Sequence, residues 1–133
     1  MIKKKRLIVV DDEPTFCNYV ADCADLLGYE VTKLVDPRDF EKLLEGINPD
    51  AVVVDMVMPH RDGFDLLEAL TASDRKLKVI LVTGYLPAYV NSASARLEAL
   101  GFSDVWTLIK PFPLDALSRA LAPAETKAEA ERC

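Results

Sequence analysis

The sequence predicts an α/β domain, a doubly wound sheet of five parallel strands with helices on its faces. Three observations lead there. The unbroken apolar run 51–54 (Ala-Val-Val-Val) ends on the carboxylate of Asp55, as expected of a strand buried on both faces. Strand and helix patterns alternate five times along the chain. Four strands close on a polar residue, and each of these is followed by a loop carrying Pro or Gly. Ligands of such sheets bind at the carboxyl ends of the strands, so Asp55 is the first place to look for chemistry.

In chain order, Leu-Ile-Val-Val at 7–10 is a short strand ending on Asp11, Asp12 and Glu13. Pro14 opens a helix, where its missing N–H would be unpaired anyway. Phe16, Tyr19, Val20, Cys23, Ala24 and Leu27 recur on one helical face that closes at Gly28. Residues 29–35 alternate as an edge strand with one wetter face. Asp36 and Pro37 supply an N-cap and N1 pair for a second helix, whose apolar face is Phe40, Leu43, Leu44 and Ile47. Asn-Pro-Asp at 48–50 turns the chain into the central strand. Past Asp62 and Gly63, the residues Phe64, Leu67 and Leu70 mark a third helix, and 77–82 a fourth strand ending on Thr83 and Gly84. Pro87 punctuates the next loop, and Ala93, Leu97 and Leu100 carry a helix to Gly101. A fifth strand at 105–109 ends on Lys110 and Pro111, and a last helix spans 114–121. The domain is expected at residues 5–122, with no repeat or second domain, and the Ala/Glu-rich tail 123–133 is expected to be disordered.

Composition narrows the function. Sixteen basic residues stand against 22 acidic ones, a net charge of −6, which disfavours binding to a phosphate backbone. The one basic run, Lys3 to Arg6, is read as solvating the chain start, with nucleic-acid or lipid contact as the alternative. Cys17, Cys23 and Cys133 have no metal-site or disulfide spacing, which fits a reducing cytoplasm. No apolar run approaches the roughly 20 residues that span a bilayer, and no signal-peptide pattern precedes the first strand. A soluble cytoplasmic protein without membrane contact is expected.

The predicted topology brings Asp11 and Asp12, Asp55, Thr83 and Lys110 to one rim of the sheet. Two carboxylates about 5 Å apart repel by roughly 3 kcal/mol at an effective dielectric of 20, so three of them call for a cation. Hard oxygen donors in an incomplete cage suit magnesium, with waters or a phosphate completing the octahedron. Each residue alone has a plainer reading as a turn former or loop punctuation. Their joint arrival at four strand ends favours a site.

The segments Val10-Asp-Asp-Glu-Pro14, Asp55-Met-Val-Met-Pro-His-Arg-Asp-Gly63, Thr83-Gly84 and Lys110-Pro-Phe112 together resemble the receiver domain of bacterial two-component response regulators, over residues 5 to about 122. The resemblance implies a flavodoxin-like strand order, 2-1-3-4-5, with five flanking helices. It implies that Asp55 accepts a phosphoryl group from a sensor histidine kinase or a histidine phosphotransfer protein. Asp12 then corresponds to a direct magnesium ligand and Asp11 to a water-mediated one, with Asp55 and the backbone carbonyl of Val57 completing the set. Lys110 corresponds to the residue that pairs with the phosphoryl oxygens, and Thr83 to the hydroxyl that moves toward them. The implied module regulates a downstream protein and catalyses only its own phosphoryl transfer and dephosphorylation.

Two departures stand out. Many receivers carry Tyr or Phe three residues before the lysine, where this chain has Thr107; Trp106 is expected on the opposite strand face, and Tyr85 is the other nearby aromatic. The fourth-helix region is also longer than usual and is similar to that of receivers joined to cyclic-di-GMP phosphodiesterase domains. His60 reads as an exposed loop residue, Met56 and Met58 as packing residues, and Trp106 as sheet packing or a partner surface.

Other functions are weighed against a stand-alone receiver. An aspartate-nucleophile phosphatase would need an acid two residues after Asp55, where Val57 stands. A receiver-fold binding module that works without phosphorylation has no need of a costly acidic cluster. The chain could also be a receiver cut from a longer multidomain regulator.

Overall fold

The computed structural model describes residues 4–58, 61–84 and 87–122, with the backbone alone at 57, 58, 61–64, 87 and 89. The expectations for His60, Tyr85 and the tail with Cys133 lie outside these residues. The main strands are β1 (Lys5–Val10), β2 (Tyr29–Leu34), β3 (Ala51–Asp55), β6 (Lys78–Thr83) and β7 (Val105–Ile109), all parallel and ordered β2-β1-β3-β6-β7. Counting only these five, the order is the expected 2-1-3-4-5. Five helices connect and follow them: α1 (Pro14–Leu26), α2 (Phe40–Ile47), α3 (Gly63–Leu70), α4 (Pro87–Ala99) and α5 (Leu114–Leu121).

The two-residue period of a strand divides the apolar residues between the sheet faces. Ile8, Val10, Val52, Val54, Val79, Leu81 and Val105 join the side packed by α2, α3 and α4 through Phe40, Leu67 and Leu97. Leu7, Val9, Val53, Ile80, Val82 and Trp106 join the other side, under Val20, Cys23 and Ala24 of α1 and Leu117 and Ala120 of α5. Cys17 and Cys23 are buried free thiols, as their helical spacing predicts. β2 lies at the edge, and its middle residues are partly exposed while Tyr29 and Leu34 are buried.

Two local features differ from the sequence expectation. Asp36 caps a single 3-10 turn, Pro37–Asp39, and α2 starts only at Phe40. The reason is local: the Asp36 carboxylate accepts the Arg38 N–H at 3.0 Å and pairs with its guanidinium, which tightens the first turn. The loop after Asp55 is not irregular but forms a small antiparallel pair, β4 (Val57–Met58) with β5 (Arg61–Asp62).

At the amino-terminal ends of the strands, α5 is fastened by its last carbonyls. Lys78 Nζ donates to Ala120 O at 2.7 Å and lies 3.4 Å from Asp104, and Tyr29 donates its hydroxyl to Leu121 O at 2.8 Å. A cation and a phenol here satisfy orphan carbonyls of a helix end. Burial pulls the Lys78 ammonium below its ordinary range, although Asp104 acts in the other direction.

Candidate functional site

The strand ladder sets the position of each polar end. Asp11 donates its backbone N–H to Leu34 O at 3.1 Å, prolonging the β1–β2 pairing by one residue. Asp55 closes β3 in register with Val82, and the next residue, Met56, donates to Val82 O at 2.8 Å. Thr83 closes β6, and its carbonyl accepts the Lys110 N–H at 2.7 Å. Lys110 is followed by a cis peptide to Pro111. Four strand ends therefore open on one crevice.

Within it, one carboxylate oxygen from each of Asp11, Asp12 and Asp55 lies within 4.8 Å of the others. Asp11 is fully buried, Asp55 is 5% exposed and Asp12 is half-buried. Lys110 Nζ reaches in from the side, 2.7 Å from Asp11 Oδ2, 3.2 Å from Glu13 Oε1 and 3.7 Å from Asp55 Oδ2. The other Asp11 oxygen accepts the Glu13 N–H at 2.9 Å. Thr83 is completely buried at the end of the neighbouring strand.

Three carboxylates thus surround the Lys110 ammonium, and the charge balance shows in both partners. Burial raises the Asp11 carboxyl above the usual range, against the hydrogen bonds from Lys110 and from the Glu13 backbone. Burial also opposes the Lys110 charge, but the hydrogen bond and charge of Asp11, with Asp55 and Glu13, hold its ammonium above the ordinary value. An excess of hard anionic oxygens at this spacing fits a small divalent cation with open positions for water or phosphate. A partly buried site with one cation, a carboxylate and a hydroxyl nearby contains what phosphoryl transfer requires, namely positioning and charge neutralisation.

Residues 7–122 match the model of the response regulator receiver domain. The chain belongs to the response regulator receiver family. It is therefore a two-component signalling module whose working principle is phosphorylation-dependent regulation. It is 34% identical to the regulatory protein AtoC of Escherichia coli over 113 residues, 85% of this chain and 23% of that protein. With the transcriptional regulatory protein FixJ of Bradyrhizobium diazoefficiens it shares 29% identity over 129 residues, 97% of this chain and 60% of that protein. The chain thus spans less than two thirds of these curated relatives. Among solved structures, a CheY-like receiver domain protein from Methanospirillum hungatei superposes with a TM-score of 0.77 at 22% identity, covering 98% of this chain and 96% of that one. A response regulator from Burkholderia pseudomallei containing a phosphorylated aspartic acid and a calcium ion gives 0.73 at 20% identity, covering 97% and 73%.

In this receiver Thr107 and Trp106 lie on opposite faces of β7, as strand alternation predicts. Trp106 packs with Ile80 and Leu117 on the α1/α5 side and donates Nε1–H to Asp104 at 2.7 Å, so its role is sheet packing. Met56 is fully buried, in keeping with a packing role. Among the described residues no helix is long and apolar enough to cross a membrane.

The surroundings of Lys110 escaped the sequence reading. Phe16, the third residue of α1, presents its ring 4.0 Å beneath Lys110 Nζ. Phe112 meets Phe16 edge-to-face with centroids 5.8 Å apart, and Tyr19 lies 6.2 Å from Phe16. Glu13 was read only as part of an acidic loop, yet it is a ligand of Lys110. Proximity in sequence to Asp12 and Lys110 was the available signal for all but Tyr19.

Proposed function

We propose that Asp55 is the phosphoacceptor of this receiver, taking a phosphoryl group from the phosphohistidine of a sensor histidine kinase or phosphotransfer protein. The observation that carries the reading is the approach of Lys110 Nζ to both Asp11 and Asp55 beside three carboxylates that can share one cation. Asp12 and Asp55 would hold magnesium directly, Asp11 through water, and the Val57 carbonyl would complete the protein ligands. When bound, the metal neutralises charge on the transferring phosphoryl oxygens. Asp55 supplies the attacking oxygen, and the P–O bond to it forms as the P–N bond of the donor breaks. Lys110 pairs with a phosphoryl oxygen, and Thr83 turns its hydroxyl toward another. The phosphorylated aspartate of the Burkholderia regulator, on a similar fold, supports this assignment.

Converting a mostly inactive equilibrium into a mostly active one takes roughly 5.5 kcal/mol of differential binding. A single charge-assisted hydrogen bond supplies only about 1.5–3 kcal/mol, so Thr83 shares the switch with Lys110, the metal and the loops around them. The same chemistry run with water returns the module to its resting state. The output is docking on a downstream protein in the cytoplasm rather than direct contact with nucleic acid or membrane. The domain is taken as residues 5–122, with 123–133 a tail.

Intact-mass spectrometry after incubation with acetyl phosphate and magnesium tests this. One phosphoryl adduct is expected, lost in Asp55→Asn and in metal-free samples. An adduct that persists in Asp55→Asn would remove Asp55 as the acceptor.

A further inference from the structure

We infer that Phe16 is a positioning residue for Lys110, an aromatic seat that keeps the ammonium at the phosphoryl position once the metal has taken its carboxylate partners. This inference rests on the phosphoacceptor reading of Asp55.

Three carboxylates stand around Lys110 Nζ: Asp11 at 2.7 Å, Glu13 at 3.2 Å and Asp55 at 3.7 Å. Beside them lies the Phe16 ring, whose centroid is 4.0 Å away, well inside the roughly 6 Å range of a cation–π contact. These neighbours do not respond alike to a divalent cation. A metal shared by Asp11, Asp12 and Asp55 draws on the same oxygens that hold Lys110, so the pull of Asp11 and Asp55 on the ammonium falls. Glu13 is mostly exposed and weakly restraining, with a side chain 67% accessible. The ring has no lone pair to offer a hard cation, so its attraction for Lys110 persists.

The seat is itself braced. Phe16 belongs to the rigid first turn of α1, where Cys17 N–H bonds Glu13 O at 3.1 Å, and Phe112 abuts its ring edge-to-face from the segment that follows Lys110. Phe112 therefore braces the ring on which the Lys110 ammonium rests. A lysine so held needs little reorganisation to meet an arriving phosphoryl oxygen, which is the condition for electrostatic stabilisation without delay.

The test compares the whole chain with Phe16→Leu, Phe16→Tyr, Lys110→Ala and the Phe16→Leu/Lys110→Ala double variant. In metal-free and magnesium-loaded unphosphorylated protein, the Lys110 Cε protons are expected at upfield, ring-shifted positions in the wild type and Phe16→Tyr, and at ordinary positions in Phe16→Leu. With acetyl phosphate, Phe16→Leu is expected to take up the phosphoryl group about three- to tenfold more slowly at saturating donor, with Phe16→Tyr restoring the rate. In the Lys110→Ala background Phe16→Leu should have no further effect. Unshifted Cε protons in the magnesium-loaded wild type, or equal slowing by Phe16→Leu with and without Lys110, would overturn the inference. A wild-type chain that takes no phosphoryl group overturns the phosphoacceptor reading, whereas normal uptake by Phe16→Leu overturns this one alone.

Discussion

Lys110 rests against Asp11, not Asp55: its Nζ is 2.7 Å from one carboxylate and 3.7 Å from the other. The charge of the crevice is thus met in part by a side chain that occupies an oxygen of a proposed magnesium ligand. A magnesium ion drawing on the same oxygens would compete with Lys110, each weakening the hold of the other.

Removing the competitor should strengthen metal binding. Lys110→Ala is expected to bind magnesium about three- to tenfold more tightly, because the Asp11, Glu13 and Asp55 carboxylates then lose the ammonium they share. Isothermal titration calorimetry of the two proteins at one ionic strength measures it, and weaker binding by the variant would show that Lys110 organises the ligands instead.

The two acidic residues at the end of β1 should differ as ligands. Asp11 is spent on Lys110 and the Glu13 backbone, while Asp12, beside Asp11 and Asp55, is only half-buried. Asp11→Ala is expected to lower magnesium affinity about tenfold, as loss of an outer-sphere partner does, and Asp12→Ala by more. Equal affinities in a titration would erase the distinction.

Tyr29 gives the fold an alkaline limit. Burial pushes its phenol up to about 12, from an ordinary value of 10.0. The raised value means that its contribution is whole below pH 10 and disappears as pH climbs toward 12, by roughly 2–3 kcal/mol in all. Tyr29→Phe should lose about 1 kcal/mol at neutral pH with the Leu121 hydrogen bond, yet show a shallower decline of urea stability between pH 9.5 and 11.5, window values of about that range being set by the shift. Parallel declines in the two proteins would contradict this.

Cys17 should be chemically silent in the native state. Burial, aided by the negative charge of Asp11, pushes its thiol up to about 11, and its Sγ–H donates to Asp11 O at 3.3 Å. At pH 8 only about one molecule in a thousand carries the thiolate, and that one is shielded. Peptide mapping after brief iodoacetamide treatment should find Cys17 unmodified until urea unfolds the chain; rapid native labelling would mean that α1 opens readily.

Much of this was legible in advance because strand periodicity and punctuation are local. The run ending at Asp55, Pro14 at the start of α1, and Gly28, with φ +90°, at its end each declare themselves within a few residues. The small β4/β5 pair was missed because two-residue strands carry no periodic signal. Lys78 looked like an ordinary strand residue, and its contact with the end of α5 is set by packing between segments distant in sequence. For the same reason the identity of the polar residues at the rim could be read, but not which carboxylate Lys110 prefers or that Phe16 lies beneath it.

The fastening of Ala120 and Leu121 by Lys78 and Tyr29 divides the domain into two poles. One helix, α5, leaves the chemical rim just after Lys110 and Phe112 and comes to rest about 12 Å on, beside the first residues of β6 and β2. A phosphoryl group on the rim cannot touch what is held at the far pole. Chemistry and anchorage are thus spatially separate: the contacts of residues 29, 78 and 104 moor the helix at one pole, and the charged crevice lies at the other.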